Sequence, residues 1–209
     1  MLHFLRYGVL LSFLFAIISL TVLVFKTFSF GKRPLYAELR DDGKRGVFYA
    51  LGKGMMPWEK ESAVKHLPTF FAGIGYHTGV FSALIYLFLV FFPKQFSPLV
   101  LSFFRFLFIL GSLCGCALLA KRTISPIMRK ISCSDDFAAN IFVTLFIITA
   151  LVQSFKGQFT PFFFGSAILM FLYAPLGKIR HCFFFFYTRI LFGLFYGRRG
   201  VFPPKKDEV

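Results

Sequence analysis

The sequence predicts an all-α integral membrane protein, a five-transmembrane-helix bundle with its N-terminus outside and its C-terminus in the cytoplasm. Hydrophobic residues make up 57% of the chain and the mean hydropathy is +0.71, whereas soluble domains are typically about 45–50% apolar. The apolar residues also form five runs near the ~20 residues that cross a bilayer. Finally, the basic residues are distributed unequally between the loops, which predicts the orientation.

Five spans are expected in one membrane domain. They cover residues 7–30, 69–92, 97–120, 137–155 and 160–178. Residues 31–65 are predicted to be an irregular cytoplasmic loop, because they are rich in glycine and charge and lack periodicity. Residues 182–209 are predicted to form an interfacial helix and tail. Ser134 is expected to cap the fourth helix, and Pro175 and Gly177 to kink or end the fifth.

The charge distribution sets the predicted topology. All but four of the 24 lysines and arginines lie at or between spans one and two, between spans three and four, or after span five. The exceptions are Arg6, Lys94, Arg105 and Lys156. The positive-inside rule places the basic loops in the cytoplasm. The net charge of +15 therefore reflects the basic cytoplasmic loops and indicates membrane orientation, and no nucleic-acid partner is expected.

The four histidines carry the clearest chemical information. His77 falls within span two, where an imidazole is costly unless it has a partner, so it is a candidate functional residue. His181 follows span five, which runs antiparallel to span two and brings the two side chains to a similar depth. Two imidazoles from facing helices can supply both axial ligands of a haem. Without a CxxCH motif, that haem would be a non-covalent haem b.

The other two histidines are weaker candidates for ligation. His3 is predicted at the outer end of span one, far from the inner half of the bundle. His66 precedes His77 by eleven residues, about 16 Å along one helix axis, and cannot reach the opposite side of the same iron. Three interpretations of His66 remain: a second ligand, an interfacial residue near a propionate or a quinone head group, which we favour, or a plain surface histidine.

Three further features have two interpretations each. Gly75 and Gly79 lie one turn apart, which suits either a flat haem ring or ordinary helix packing. Lys178 and Arg180 either neutralise haem propionates or simply form the basic flank of a span. Arg105 either extends to the outer interface or contributes to a quinone pocket on that side.

Three segments carry a resemblance to a known family. They are MPWEKESAVKHLPTFFAGIGYHTG, LCGCALLAKRTISPIMRKISCSDDFAANIFVTLF and FLYAPLGKIRH, in this order. They resemble the membrane cytochrome b family of the respiratory nitrate reductase gamma subunit. The likeness is closer to the gamma-like subunits that accompany heterodisulfide-reductase-type iron-sulfur proteins, and it covers most of the chain.

The resemblance implies a role in anaerobic electron transport in a bacterial or archaeal cytoplasmic membrane. Its inner-haem ligands match His77 and His181, whereas the outer pair falls near Leu87 and Phe163, so one haem b is expected. The implied function is electron transfer between the quinone pool and a cytoplasmic iron-sulfur partner. The alternative is a haem-free anchor that tethers a soluble redox complex. A transporter is a third possibility, but the internal repeats typical of many transporters are not evident.

Overall fold

The structure is a computed structural model that describes residues 1–29, 38–92 and 96–204. It is 84% helical, and the described residues form no strand. The α-helices are α1 (Leu2–Phe28), α2 (Gly43–Leu51), α3 (Glu61–Val64), α4 (Leu67–Val90), α5 (Pro98–Ile124), α6 (Pro126–Ile131), α7 (Ser134–Phe155), α8 (Thr160–Tyr173) and α9 (His181–Arg198). Phe30, residues 31–37 of the predicted loop, Lys94 and the end of the predicted tail lie outside the described residues.

Four of these helices are long and apolar enough to cross a membrane. They are α1, α4, α5 and α7. The predicted fifth span is interrupted, since α8 ends at Tyr173 after 14 residues, about 21 Å of helix against a hydrocarbon core of about 30 Å. A fifth span is counted only if the segments Gly157–Tyr173 and Lys178–Arg198 are taken together as one broken span. The prediction of an all-helical, multi-pass membrane protein is therefore confirmed.

The break after α8 has a local cause. Pro175 cannot donate a helical hydrogen bond, and both Pro175 and Gly177 are buried. A Cβ at Gly177 would lie 2.3 Å from Cζ of Tyr173. The predicted ending of the helix at this proline and glycine agrees with the structure. The predicted cap at Ser134 is wrong by one residue: Cys133 holds the N-cap position, its carbonyl accepts from the Asp136 backbone N–H at 3.0 Å, and its own N–H donates to Asp136 Oδ2 at 3.1 Å.

The described chain divides into two compact units. Unit 1 consists of Met1–Ser19 and Pro68–Ile179, and unit 2 of Leu20–Leu67 and Arg180–Val209. The core of unit 1 is dominated by fully buried side chains from three helices: Phe108, Phe146, Ile147, Phe163 and Phe164. Phe146 and Phe163 stack with ring centroids 5.4 Å apart, which joins α7 to α8. The expectation of one membrane domain stays a prediction.

Unit 2 corrects the expectation of an irregular loop. The part of residues 31–65 that the structure describes contains α2, capped by Asp42, whose side chain accepts from the Lys44 backbone N–H at 3.0 Å. The buried face of α2 consists of Gly43, Gly46 and Ala50. These small residues allow α2 to approach α9 closely at Gly193 and Gly197. The loop prediction failed because a contact with a distant helix, rather than apolar periodicity, stabilises α2.

A short polar cluster fixes the segment after α2. The Tyr49 hydroxyl donates to Glu59 Oε2 at 2.7 Å, and Lys53 Nζ lies 3.3 Å from Glu59 Oε1. Burial raises the pKa of Tyr49 to about 12, and the Tyr49 hydrogen bond lowers the pKa of Glu59. Tyr49 therefore remains a donor and Glu59 an anion at neutral pH. Together they hold the 3-10 turn Pro57–Glu59 beside α2.

Candidate functional site

His77 occupies the outward face of α4 in unit 1. Its imidazole is exposed, and Nδ1 lies 2.7 Å from the carbonyl oxygen of Gly73. A carbonyl oxygen only accepts, so Nδ1 carries the proton in the neutral ring and the lone pair lies on Nε2. A backbone carbonyl bound to one ring nitrogen commonly orients metal-binding histidines. The local geometry of His77 thus fits ligation through Nε2.

Gly75 and Gly79 lie on the opposite, buried face of α4. A Cβ at Gly79 would lie 2.6 Å from the Cα of Gly111, and one at Gly75 would lie 2.8 Å from Sγ of Cys114. Helix α5 therefore occupies the space on this face that a flat haem ring would need. Both glycines serve the close packing of α4 on α5, the other interpretation of their spacing.

The remaining ligand candidates belong to unit 2. His181 is the first residue of α9 and is exposed, and Arg180 precedes it at the N-cap position. His66 is exposed in the turn between α3 and α4, directly before the first residue of α4, and its role near a propionate or a quinone head group stays a prediction. The pairing of His77 with His181 stays a prediction.

Lys178 takes part in an ion cluster that was not predicted from the sequence. Its Nζ pairs with Oδ1 of Asp136, a carboxylate whose side chain is only 5% exposed. Nη1 of Arg122 lies 2.7 Å from the same oxygen. The cluster joins the end of α5, the start of α7 and the segment after α8. The pairing with Asp136 gives Lys178 a structural role. A contact between Lys178 and a haem propionate stays a prediction.

Arg105 makes its polar contacts at the C-terminal end of α7. Nε donates to Ser154 Oγ at 3.3 Å, and an Nη group donates to the Ser154 carbonyl. The guanidinium carbon also lies 4.1 Å from the Phe155 ring centroid. The last carbonyls of a helix lack partners within the helix, so this arginine satisfies one of them. A contribution to a quinone pocket stays a prediction.

A polar network inside unit 1 was not predicted from the sequence. The Tyr76 hydroxyl lies 3.0 Å from both the Asn140 carbonyl oxygen and Thr144 Oγ1. Thr144 donates to Asn140 Oδ1 at 3.1 Å, and Asn140 Nδ2 donates to the Gly115 carbonyl. Asp136, Asn140 and Thr144 recur every four residues along α7. This spacing of polar residues could have predicted the network from the sequence, because polar side chains within a membrane span usually form hydrogen bonds with a neighbouring helix.

Within the described ranges, no group of three or more His, Cys, Asp or Glu side chains could hold a metal ion. Ligation by two imidazoles does not require such a group. No protein-family model, curated protein or solved structure matches the chain. The resemblance to the nitrate reductase gamma subunit therefore stays a prediction.

Proposed function

We propose that the protein is a membrane cytochrome b subunit of bacterial or archaeal anaerobic respiration. In this proposal it holds one haem b between His77 and His181 and passes electrons between the quinone pool and an iron-sulfur protein on the cytoplasmic side. The resemblance of the three sequence segments supports the family and the partner. The observation that carries the proposal is the orientation of His77.

That orientation suits an axial ligand in two ways. The Gly73 carbonyl fixes the ring and leaves the lone pair on Nε2, and the exposed position of His77 directs it away from the packed core of unit 1. A bound haem supplies reversible one-electron chemistry, while the chain supplies ligands, orientation and burial. Arg180 is exposed and directly precedes His181 in the chain. In this proposal its guanidinium pairs with a haem propionate.

One observation favours the haem-free anchor as a second candidate. The space beside Gly75 and Gly79 is filled by α5, so the glycine pair provides no slot for a macrocycle. An anchor would need only the spans and a docking surface for its soluble partner. The presence or absence of haem distinguishes the two functions.

The ligand pair is tested by the haem spectrum of the purified protein. His77→Ala and His181→Ala should each abolish the low-spin haem b signal in a reduced-minus-oxidised spectrum, because bis-histidine ligation fails without either imidazole. His66→Ala is the matched control and should retain the full signal. Full haem content in His181→Ala, or two haems per chain, would contradict the assignment. A wild-type protein without haem would support the anchor.

The orientation is tested separately with topology reporters. We propose that the basic loops face the cytoplasm, on the basis of the charge distribution. Reporters fused after Lys206 and within residues 31–65 should both show a cytoplasmic location. A reporter inserted after Lys156, one of the four basic residues assigned to the other side, should show the periplasm. A periplasmic signal at either of the first two positions would refute this topology.

The two candidate quinone contacts, Arg105 on the outer side and His66 on the cytoplasmic side, are each tested by kinetics. Arg105→Gln and His66→Ala should each slow quinol-dependent haem reduction by about tenfold, the effect of one lost hydrogen bond of about 1.4 kcal/mol. Haem content should remain at the wild-type level. His3→Ala serves as the control and should leave the rate unchanged. Because Arg105 also contacts Ser154, a thermal melt should accompany the assay, and unchanged rates would limit Arg105 to its structural role.

A further inference from the structure

Helix α2 has an outward face that its packing on α9 does not use. Lys44, Arg45 and Phe48 are exposed on it, and Phe48 is 79% exposed. Residues three and four apart are neighbours on a helix surface, so both cations lie beside the Phe48 ring. We call these three residues, together with Trp58, the α2 outer face.

Trp58 lies close to α2 because of the Glu59 contacts. Tyr49, next to Phe48, donates to Glu59, next to Trp58, at 2.7 Å. Trp58 is 67% exposed and is the only tryptophan of the chain. Two large aromatic side chains and two cations are therefore presented on adjoining elements of unit 2.

Contacts within unit 2 connect this face to the end of a span. Tyr187 of α9 accepts a hydrogen bond from Thr27 at 2.9 Å, and its ring lies 5.9 Å from that of Phe28, the last residue of α1. The same helix α9 contacts α2 at Gly193 and Gly197. Six to ten residues of helix separate these contacts, about 9–15 Å. About two to three turns of α9 therefore join α2 to the end of α1, which keeps α2 near the membrane boundary at which α1 ends.

We propose that the α2 outer face binds the headgroups of anionic phospholipids. Lys44 and Arg45 pair with the phosphates, and the Phe48 and Trp58 rings enter the interface between headgroups and acyl chains. Basic residues next to a span attract anionic lipids, and exposed aromatic rings beside them are typical of helices that lie in the interface. An acidic protein could also pair with the two cations. It would not explain why two aromatic rings are exposed near the end of a membrane span, whereas a lipid interface would.

The tryptophan provides the assay. The full-length protein is reconstituted in nanodiscs of phosphatidylcholine that contain an equal mole fraction of either brominated phosphatidylglycerol or brominated phosphatidylcholine. Bromine quenches nearby tryptophan fluorescence, so the comparison measures which lipid lies next to Trp58. We expect stronger quenching by the anionic lipid. Lys44→Gln with Arg45→Gln should reduce this preference by about fivefold for each cation removed.

Two controls isolate the role of charge at this place. Lys44→Arg with Arg45→Lys keeps both charges and should retain the preference. Arg129→Gln with Lys130→Gln makes the same charge change at an exposed basic pair on α6 and should also retain it. Equal quenching by both lipids in the wild type, or an unchanged preference in the Gln variant, would overturn the proposal. An absence of quenching by either lipid would also overturn it and would favour an acidic protein at this face.

Discussion

Replacing Gly46 with alanine should detach α2 from α9 and destabilise their packing by about 3 kcal/mol, near the upper part of the range for overpacked sites. A Cβ at this position would lie 2.2 Å from the Gly193 carbonyl oxygen and 2.5 Å from the Gly197 Cα. Both obstructing atoms belong to the backbone, so rotation of a side chain cannot relieve the contact. An isolated helix of nine residues is marginal in water, so α2 should unfold when it separates.

Limited trypsin digestion measures this effect directly, because Lys44 and Arg45 are cleavage sites inside α2. A loss of 3 kcal/mol raises the population of the open form about 150-fold, and cleavage should accelerate in proportion when opening and closing are fast. Gly165→Ala is the matched control: a Cβ at Gly165 meets nothing within 4 Å. It should leave cleavage at α2 unchanged and stabilise α8 by up to about 1 kcal/mol. Equal cleavage rates for Gly46→Ala and the wild type would show that α2 can move aside at little cost.

Replacing Asp136 with alanine should destabilise unit 1 by about 3 kcal/mol. The change removes the acceptor for the Cys133 backbone N–H, a capping contact of about 1 kcal/mol, and the charge-assisted bonds to Arg122 and Lys178, together about 2 kcal/mol. Asp136 is the buried member of this cluster, whereas the Arg122 and Lys178 side chains are 27% and 56% exposed, so water replaces part of what these two cations lose. The thermal midpoint in detergent, followed by circular dichroism, reports the loss.

A double-mutant cycle separates the ion pair from the cap. Asp136→Asn keeps the shape of the side chain, and combining it with Arg122→Met should give a coupling energy above about 1 kcal/mol. Glu38→Gln makes the same charge change at an exposed carboxylate and should leave the midpoint within experimental error. Additive effects of the two changes would mean that Arg122 and Asp136 do not stabilise one another.

The candidate site was only partly predictable. His77 was predicted as a functional residue because it falls within a span. The structure adds the hydrogen bond between its Nδ1 and the Gly73 carbonyl. A helical sequence places Gly73 near His77, but it does not show that the imidazole adopts the rotamer that makes this bond. Gly75 and Gly79 had two equally good interpretations, because small residues accept a ring and a neighbouring backbone alike. Only the position of Gly111 on α5 distinguishes them. Arg105 was recognised as a charge within a span, but its contact with Ser154 depends on how α5 meets α7.

The sequence by itself determined the all-helical class, four of the five predicted spans and the break at Pro175, because hydrophobic length and the missing proline N–H act within a few neighbouring residues. Tertiary structure alone decided the packing of α2 on Gly193 and Gly197 and the pairing of Asp136 with Arg122 and Lys178. Those contacts join residues far apart in the chain. Their free energy comes from groups that meet only after the helices have packed, so no local pattern records it.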